Sequence, residues 1–486
     1  MSREVLRDAV IYLPAKVVPA LVGVLAIPIL TRMLSPEQYG QYVLAMTSLT
    51  LIASFCISWL VSVTIRFYVV YGVESLYSVC RPLLVGSVLL GCVVWSVAVS
   101  MLGGAFEARG FVWIGLVWLI AQGGFEYFAG WLRARNQAKA YSIALSWRSV
   151  VGLIAAVTLL SAGFQGGAAV ILGAAGAMLV ALIFLPRLAL FPDRNQPKTT
   201  ESNTALQVVL RYGIPAALIN LTTVGLSLAD RYVIGAQMGI ESVAIYGASY
   251  DLAEKTVFFA NSMLLLSSSV IGFRIFEQEG EAKAADFLSR LMRLYLLAAP
   301  PLVVGLAILS PHIVAILLPE KYVEGALVLP IVALGGLFVG IMHRYSLLLS
   351  FHKRTDIIMW CSAGALLVNL LSCLLLIPSL GLIGAAVSTL IAYASWLLLI
   401  RLAALKYQGP IFPWVTFTRV CGSLAVGAGG MYIMVSATPT VGLLMLLASF
   451  VFGLTSYSMS LYLLGEVSRK DIRAIADALG NRLRKV

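Results

Sequence analysis

Three charged residues stand close together in an otherwise apolar segment of the chain: Asp251, Glu254 and Lys255. Spacings of three and four residues place all of them on one face of a helix. A charge at the centre of a bilayer costs roughly 2.5–3.5 kcal/mol on insertion scales, so such residues usually face a water-filled cavity or each other. Asp251 and Lys255 are therefore predicted either to neutralise each other as an ion pair or to contact a transported species.

Other charged residues fall inside apolar segments or at their ends. Lys16 lies within the first segment, where it would either line a cavity or extend to the membrane surface. Asp230 and Arg231 close another segment and are predicted to form a local pair. For the rest, anchoring at the membrane interface is the alternative to substrate contact, and they are Arg66, Glu126, Arg148, His343 and Arg344.

Basic residues outnumber acidic residues near the cavity that these side chains would line, and this excess indicates an anionic cargo. We predict that the cavity binds substrate through five residues: Lys16, Arg66, Arg148, Lys255 and Arg344. Ion coupling is predicted for three carboxylates: Glu126, Asp251 and Glu254. Cationic side chains suit an anionic cargo such as a pyrophosphate or an acidic sugar chain, whereas a cation exporter would be expected to have a carboxylate deep in its first segments.

The sequence contains few residues that could bind a metal ion or act as a catalytic nucleophile. The chain has 6 cysteines and 3 histidines, and the cysteines show no CxxC spacing. We expect no metal site, no cofactor and no catalytic triad.

The elements that position these residues are transmembrane helices. The chain has 486 residues, of which 60% are apolar and 12% are charged, against roughly 45–50% and about 25% in soluble domains. Apolar runs repeatedly exceed the roughly 20 residues that span a bilayer, which excludes a soluble enzyme. We predict an all-α integral membrane protein with fourteen spans near residues 9–30, 42–65, 82–104, 110–130, 145–162, 167–189, 212–235, 244–270, 294–318, 326–350, 357–377, 381–404, 413–436 and 440–464.

Basic residues are distributed unequally between the two sides of this topology. If the N-terminus is cytoplasmic, only four of the 34 lysines and arginines lie on the outer side, two lie within spans and 28 lie on the inner side. This asymmetry follows the positive-inside rule and predicts that both termini are cytoplasmic. It also accounts for the net charge of +12 without nucleic acid as a partner.

The two halves of the chain share short sequence similarities in the same order. The segment YLPA at residues 12–15 corresponds to GIPA at 213–216, and GAAV at 167–170 corresponds to GAAV at 384–387. We therefore predict a parallel repeat of two six-helix lobes, an arrangement found in secondary transporters; a duplicated bundle without a transport role is the alternative. The predicted divisions are a lobe at 1–189, a cytoplasmic linker at 190–211, a second lobe at 212–404, two appended spans at 405–464 and an amphipathic cytoplasmic tail at 465–486.

Four segments resemble those of bacterial polysaccharide transporters. They are LTRMLSPEQYGQYVLAMTS from Leu30, DRYVIGAQMGIESVAIYGASYDLAEK from Asp230, LLPEKYVEGALVLPIVAL from Leu317 and IPSLGLIGAAVSTLIAY from Ile377. The resemblance is to oligosaccharide flippases of the Wzx type, in the superfamily that also contains multidrug and toxic-compound extrusion (MATE) proteins and lipid II flippases. It covers the chain from about Leu6 to Leu464.

This resemblance implies a function in the bacterial inner membrane. Flippases of the Wzx type move polyprenyl-pyrophosphate-linked oligosaccharides from the cytoplasmic to the periplasmic leaflet by alternating access. These oligosaccharides are used to build surface polysaccharides such as O-antigen or exopolysaccharide. The implied partners are this lipid-linked oligosaccharide, membrane lipid, and polysaccharide polymerase and chain-length proteins. An ion-coupled drug or cation antiporter and a membrane glycan polymerase or ligase remain the alternatives.

Overall fold

The computed structural model describes residues 14–101, 108–164, 166–190, 202–437 and 442–467, and in these residues it is helical, with no strand. One 3₁₀ helix, Glu320–Leu327, lies among the α-helices. The α-helices in chain order are α1 Pro14–Met33, α2 Pro36–Cys56, α3 Ser58–Met101, α4 Ala108–Ala134, α5 Ala138–Ser161, α6 Gly167–Leu182, α7 Leu185–Leu190, α8 Ser202–Leu228, α9 Asp230–Met238, α10 Ile240–Glu279, α11 Glu281–Ala298, α12 Pro300–Leu317, α13 Val328–Phe351, α14 Thr355–Ala404, α15 Trp414–Ser436 and α16 Leu443–Leu463.

The all-α membrane fold predicted from the sequence is confirmed. Eleven helical segments of the described chain are long and apolar enough to cross a membrane. The segment Thr355–Ala404 carries two of the predicted spans, and two further predicted spans coincide with α6, which is shorter, and with α10, which carries more charge. Every predicted span therefore overlaps a helix in the residues that the structure describes.

Two of the long helices are divided by glycines. Gly72 interrupts α3 with φ 70°, and Gly381 interrupts α14 with φ 58°. This left-handed conformation is accessible to glycine without the steric cost that a Cβ adds. Both helices therefore change direction at these points, and the second break separates the two spans predicted at 357–377 and 381–404.

Helices of the two predicted halves pack together at the end predicted to be periplasmic. The largest buried apolar cluster includes Tyr39 and Val43 of α2, Val243 of α10 and Tyr322 of the 3₁₀ helix. The side chain of Arg32 donates to the carbonyl oxygen of Ile316 over 2.8 Å, which joins the ends of α1 and α12. This end of the molecule is closed by apolar packing across the predicted repeat.

A close contact between two backbones at this end depends on a glycine, which gives a prediction. A Cβ added at Gly40 of α2 would overlap the carbonyl oxygen of Ile240 of α10. Replacement of Gly40 by alanine should destabilise the closed arrangement by about 1–3 kcal/mol, because one of two backbones must move. The apparent Tm of the purified protein in detergent measures this effect.

Gly176→Ala is the matched control for this prediction. A Cβ at Gly176 would meet no atom within 4 Å, so the substitution only adds helix propensity. Equal apparent Tm values for G40A and G176A would contradict the prediction, because they would show that α2 and α10 accommodate a Cβ at residue 40 without a loss of stability.

The last two helices, α15 and α16, pack against each other and against α12. Just past α16, Glu466 is 4% exposed and accepts hydrogen bonds from Arg293 at 2.8 Å, Arg419 at 2.9 Å and Thr416 at 2.7 Å. Burial raises the pKa of Glu466, but these hydrogen bonds and charges outweigh burial and hold the pKa below its ordinary value. This carboxylate ties the end of α16 to α11 and α15.

Two predicted segments differ from the structure or fall outside it. The linker predicted at 190–211 overlaps α8, which begins at Ser202, because the polar start of this helix carries no hydropathy signal. Residues 191–201 of the linker and residues 468–486 of the predicted amphipathic tail lie outside the described residues. The lobe boundaries stay a prediction.

Candidate functional site

A cavity of about 500 Å³ runs along α1, with walls from α5 and α6. Lys16 and Arg148 line it together with Ser149, and the remaining lining is largely apolar. Lys16 and Gly23 both line it because they lie two helical turns apart on the same face of α1. The structure therefore brings two of the predicted cavity cations to one space.

A second cavity of about 280 Å³ adjoins the first, and Arg148 lines both. Its polar lining includes Ser58 and Glu126, and Asn220 of α8 contributes from the predicted second half. Glu126 accepts hydrogen bonds from Ser58 Oγ at 2.9 Å and from Gln122 Nε2 at 2.6 Å. This carboxylate is therefore oriented by its neighbours while it still faces the cavity.

The two cavities together have a cationic lining. Lys16, Arg133 and Arg148 are the cations and Glu126 is the only acidic side chain among the residues that line them. In the part of the chain that the structure describes, none of the three cations has a hydrogen-bonded or ion-paired acidic partner; Arg148 lies over the ring of Phe125 at 5.4 Å. Three cations are therefore available to an anionic ligand.

Asp251 is held by two cations at the junction of the predicted halves. Arg231 Nη2 lies 2.7 Å from one carboxylate oxygen of Asp251, and Lys255 Nζ lies 3.2 Å from the other. Arg231 Nη1 also donates to Thr47 Oγ1 of α2 over 3.2 Å. This charge network links α2 to α10 and leaves Asp251 fully paired.

Lys255 also contacts the wall of the larger cavity. Its Cε would lie 2.7 Å from a Cβ placed on Gly23, a lining residue of α1. Glu254 on the same helix has no hydrogen bond or ion pair to the described residues, and it is partly buried. The three residues on this face of α10 thus differ, because Asp251 is paired twice, Lys255 once and Glu254 not at all.

Asp230 and Arg231 do not form the local pair that the sequence predicted. Asp230 is fully buried and accepts hydrogen bonds from Tyr246 at 2.5 Å and Thr389 at 3.1 Å. Asp230 and Arg231 are consecutive residues of α9, so their side chains leave the helix about 100° apart and reach different helices. Arg231 pairs instead with Asp251, which it approaches to 2.7 Å.

Two predicted cavity cations lie elsewhere. Arg66 lies over the ring of Tyr212 at 5.3 Å, in the contact between α3 and α8. Arg344 is 1% exposed, donates to Asn261 Oδ1 over 2.6 Å and to the Gly340 carbonyl oxygen, and lies 4.2 Å from the Tyr295 ring centroid. The structure does not bring either residue to the two cavities, since Arg344 turns into the packing between α11 and α13.

Arg133 and Asn220 are among the cavity-lining residues that the sequence analysis did not select. Arg133 is one of the basic residues that the predicted topology places on the inner side, and it lies on the last turn of α4 and lines the smaller cavity. Asn220 gave no signal because a single amide in an apolar helix is common. The position of Arg133 next to the predicted span end was the one available clue.

The first half of the sequence matches one protein family. The sequence model of a family described as polysaccharide biosynthesis protein matches residues 5–268. A comparison with curated proteins gives no match.

Solved structures share the fold over most of the chain. The lipid II flippase MurJ in an inward closed conformation aligns with a TM-score of 0.73 and 15% identity, over 94% of this chain and 98% of that one. An inward-facing multidrug resistance MATE family transporter of the MOP superfamily aligns with a TM-score of 0.61 and 14% identity, over 82% and 98%. A MOP superfamily transporter from Pyrococcus furiosus aligns with a TM-score of 0.58 and 15% identity, over 82% and 95%.

Proposed function

We propose, because this chain belongs to the polysaccharide biosynthesis protein family, that it is a flippase for polyprenyl-pyrophosphate-linked oligosaccharides. It would move them from the cytoplasmic to the periplasmic leaflet of the bacterial inner membrane, by alternating access between two lobes. The cargo then serves surface polysaccharide synthesis, with a polymerase and chain-length proteins as partners downstream. The fold shared with a lipid II flippase supports a lipid-linked cargo.

The observation that carries this proposal is the charge of the two adjoining cavities. Three cations line these cavities with one carboxylate, Glu126; Arg148 is half-buried, and Lys16 and Arg133 are exposed. Their positive charge exceeds that of the single carboxylate, and a pyrophosphate supplies the missing negative charge with several strong acceptor oxygens. Arg148 has the central role because it is the one cation that lines both cavities.

The remaining predicted residues take different roles in this proposal. Lys16 and Arg133 would contact the anionic group from α1 and α4, and Lys255 would approach it where it lies against Gly23. Arg66 would hold α3 against α8 through Tyr212. Arg344 would stabilise the second half and not contact cargo.

Ion coupling, the other predicted role, has two candidates among the three carboxylates. Glu126 faces the same cavity as Arg148, so a proton on Glu126 would leave the arginine free for the cargo. Glu254 has no partner in the described residues and is the second candidate. Asp251 is a weaker candidate, because two cations already compensate its charge.

A drug or cation antiporter shares this fold and is the main competing function. A cationic cargo would be repelled by Lys16, Arg133 and Arg148, and a single carboxylate does not offset three positive charges. The cavity charge therefore favours the anionic cargo.

Cells that lack this protein test the proposal. We expect them to accumulate a lipid-linked oligosaccharide that is accessible only from the cytoplasmic leaflet, and expression of the wild-type protein should return it to the periplasmic leaflet. The measurement is periplasmic modification of the lipid-linked intermediate in intact cells. An unchanged distribution together with normal surface polysaccharide would contradict the proposed function.

A further inference from the structure

A third cavity lies away from the two that carry the proposed function. It has a volume of about 290 Å³ and sits where α14 ends and the loop at 405–413 leads into α15. The charged residue that lines it is Arg401, and its aromatic lining consists of Tyr345, Tyr407, Phe412 and Trp414. In the predicted topology this loop is on the cytoplasmic side.

The loop that forms this cavity is held in place by specific contacts. The Tyr407 ring stacks on His352 with centroids 4.1 Å apart. The backbone N–H of Gln408 donates to Glu281 over 2.9 Å, and that of Ile411 donates to Ser289 over 2.9 Å. These contacts hold the loop against α11 and therefore define the shape of the cavity.

Arg401 lacks a counter-charge from the protein. Within the part of the chain that the structure describes, it has no ion pair and no hydrogen bond, and its side chain is exposed. Apolar side chains around it are exposed as well: Leu402 is 52% exposed, Leu405 70% and Ile411 76%. In a membrane-spanning protein such a surface faces lipid.

Aromatic residues place this cavity at the level of the lipid headgroups. Trp414 is 61% exposed and packs edge-on against Phe412 with ring centroids 4.7 Å apart. Tryptophan and tyrosine are enriched at membrane interfaces, where an apolar ring meets lipid and its polar atom meets water. A cation between such rings lies where lipid phosphates lie.

We propose that this cavity binds the phosphate of an anionic phospholipid, with Arg401 as its counter-charge and Trp414 against the glycerol and upper acyl region. Basic pockets between transmembrane helices on the cytoplasmic side bind acidic headgroups in this way. Lipid binding here would fix the loop that joins the two appended helices to the rest of the protein. This inference depends only on the membrane fold and stands apart from the proposed cargo.

Quenching of tryptophan fluorescence by brominated lipids tests this site in the full-length protein. The protein is reconstituted with brominated phosphatidylglycerol or brominated phosphatidylcholine, and the W414F variant isolates the signal of Trp414 from the other tryptophans. We expect Trp414 to show about a fivefold preference for phosphatidylglycerol, the effect of one basic residue near an anionic lipid. R401Q should abolish this preference, and R401K, which keeps the charge, should retain most of it.

Lys406→Gln is the matched control, because Lys406 is an exposed cation of the same loop that does not line the cavity. K406Q should leave the preference unchanged. An equal loss in K406Q would assign the effect to diffuse surface charge and overturn the site. Retention of the preference in R401Q, absence of quenching by either lipid, or displacement of phosphatidylglycerol by undecaprenyl pyrophosphate would each overturn it too.

Discussion

Replacement of Arg148 by glutamine should reduce transport roughly tenfold or more while the protein still inserts at its normal level. Hydrogen bonds to charged groups contribute about 1.5–3 kcal/mol, and Arg148 is the one cation that lines both cavities of the site. Its removal takes a compensating positive charge from Glu126, which keeps its hydrogen bonds from Ser58 and Gln122. Export of lipid-linked oligosaccharide at matched protein level is the measurement.

Two further variants control this experiment. R148K keeps the charge but loses the planar guanidinium, so its effect should be smaller. Lys139→Gln removes an exposed cation at the start of α5 that lines neither cavity, and it should transport like the wild type. Wild-type export by R148Q would remove Arg148 from the site.

Asp251→Asn should lower the amount of folded protein, whereas Lys255→Met should not. Loss of the Asp251 charge strands Arg231, which is 6% exposed, and removal of one partner from a buried pair costs roughly 3 kcal/mol or more. Loss of Lys255 leaves Asp251 paired with Arg231, and because the side chains of Lys255 and Asp251 are 30% and 26% exposed, the expected cost is only about 1 kcal/mol. Protein level and apparent Tm measure both effects.

Glu254→Gln is the control on the same helix face, since Glu254 has no partner among the described residues, and its protein level should stay normal. The double variant R231M/D251N should recover part of the stability that D251N loses, because the entire pair is then removed. At a protein level matched to the wild type, the transport rate of K255M decides whether Lys255 contacts cargo. Equal stability of D251N and K255M would contradict the charge network.

Helix positions could be predicted from the sequence because the physical signal is local. Runs of apolar residues long enough to cross a bilayer fix the spans, and glycines such as Gly381 mark the break between two of them. The polar first turns of α8 were missed because helix propensity without hydropathy leaves no span signal.

The partners of buried charges could be predicted only in part. The spacing of Asp251 and Lys255 correctly placed them on one helix face, and their ion pair is present. Arg231 is 20 residues from Asp251 and reaches it only because the chain turns between α8 and α10, which no local pattern encodes. Arg344 looked equivalent to Arg148 in sequence, but its side chain lies over Tyr295 and does not line either of the two cavities described above.

Translocation by the purified protein in liposomes tests the central claim most directly. The rate is compared for a polyprenyl-pyrophosphate-linked oligosaccharide and for the same oligosaccharide on a polyprenol through a neutral linkage. If the cationic cavity binds the anionic group, the wild-type protein will translocate the pyrophosphate lipid well above the rate of protein-free liposomes, and the neutral lipid will stay near that rate. Equal translocation of the two lipids, or a pyrophosphate rate no higher than in protein-free liposomes, would contradict the account.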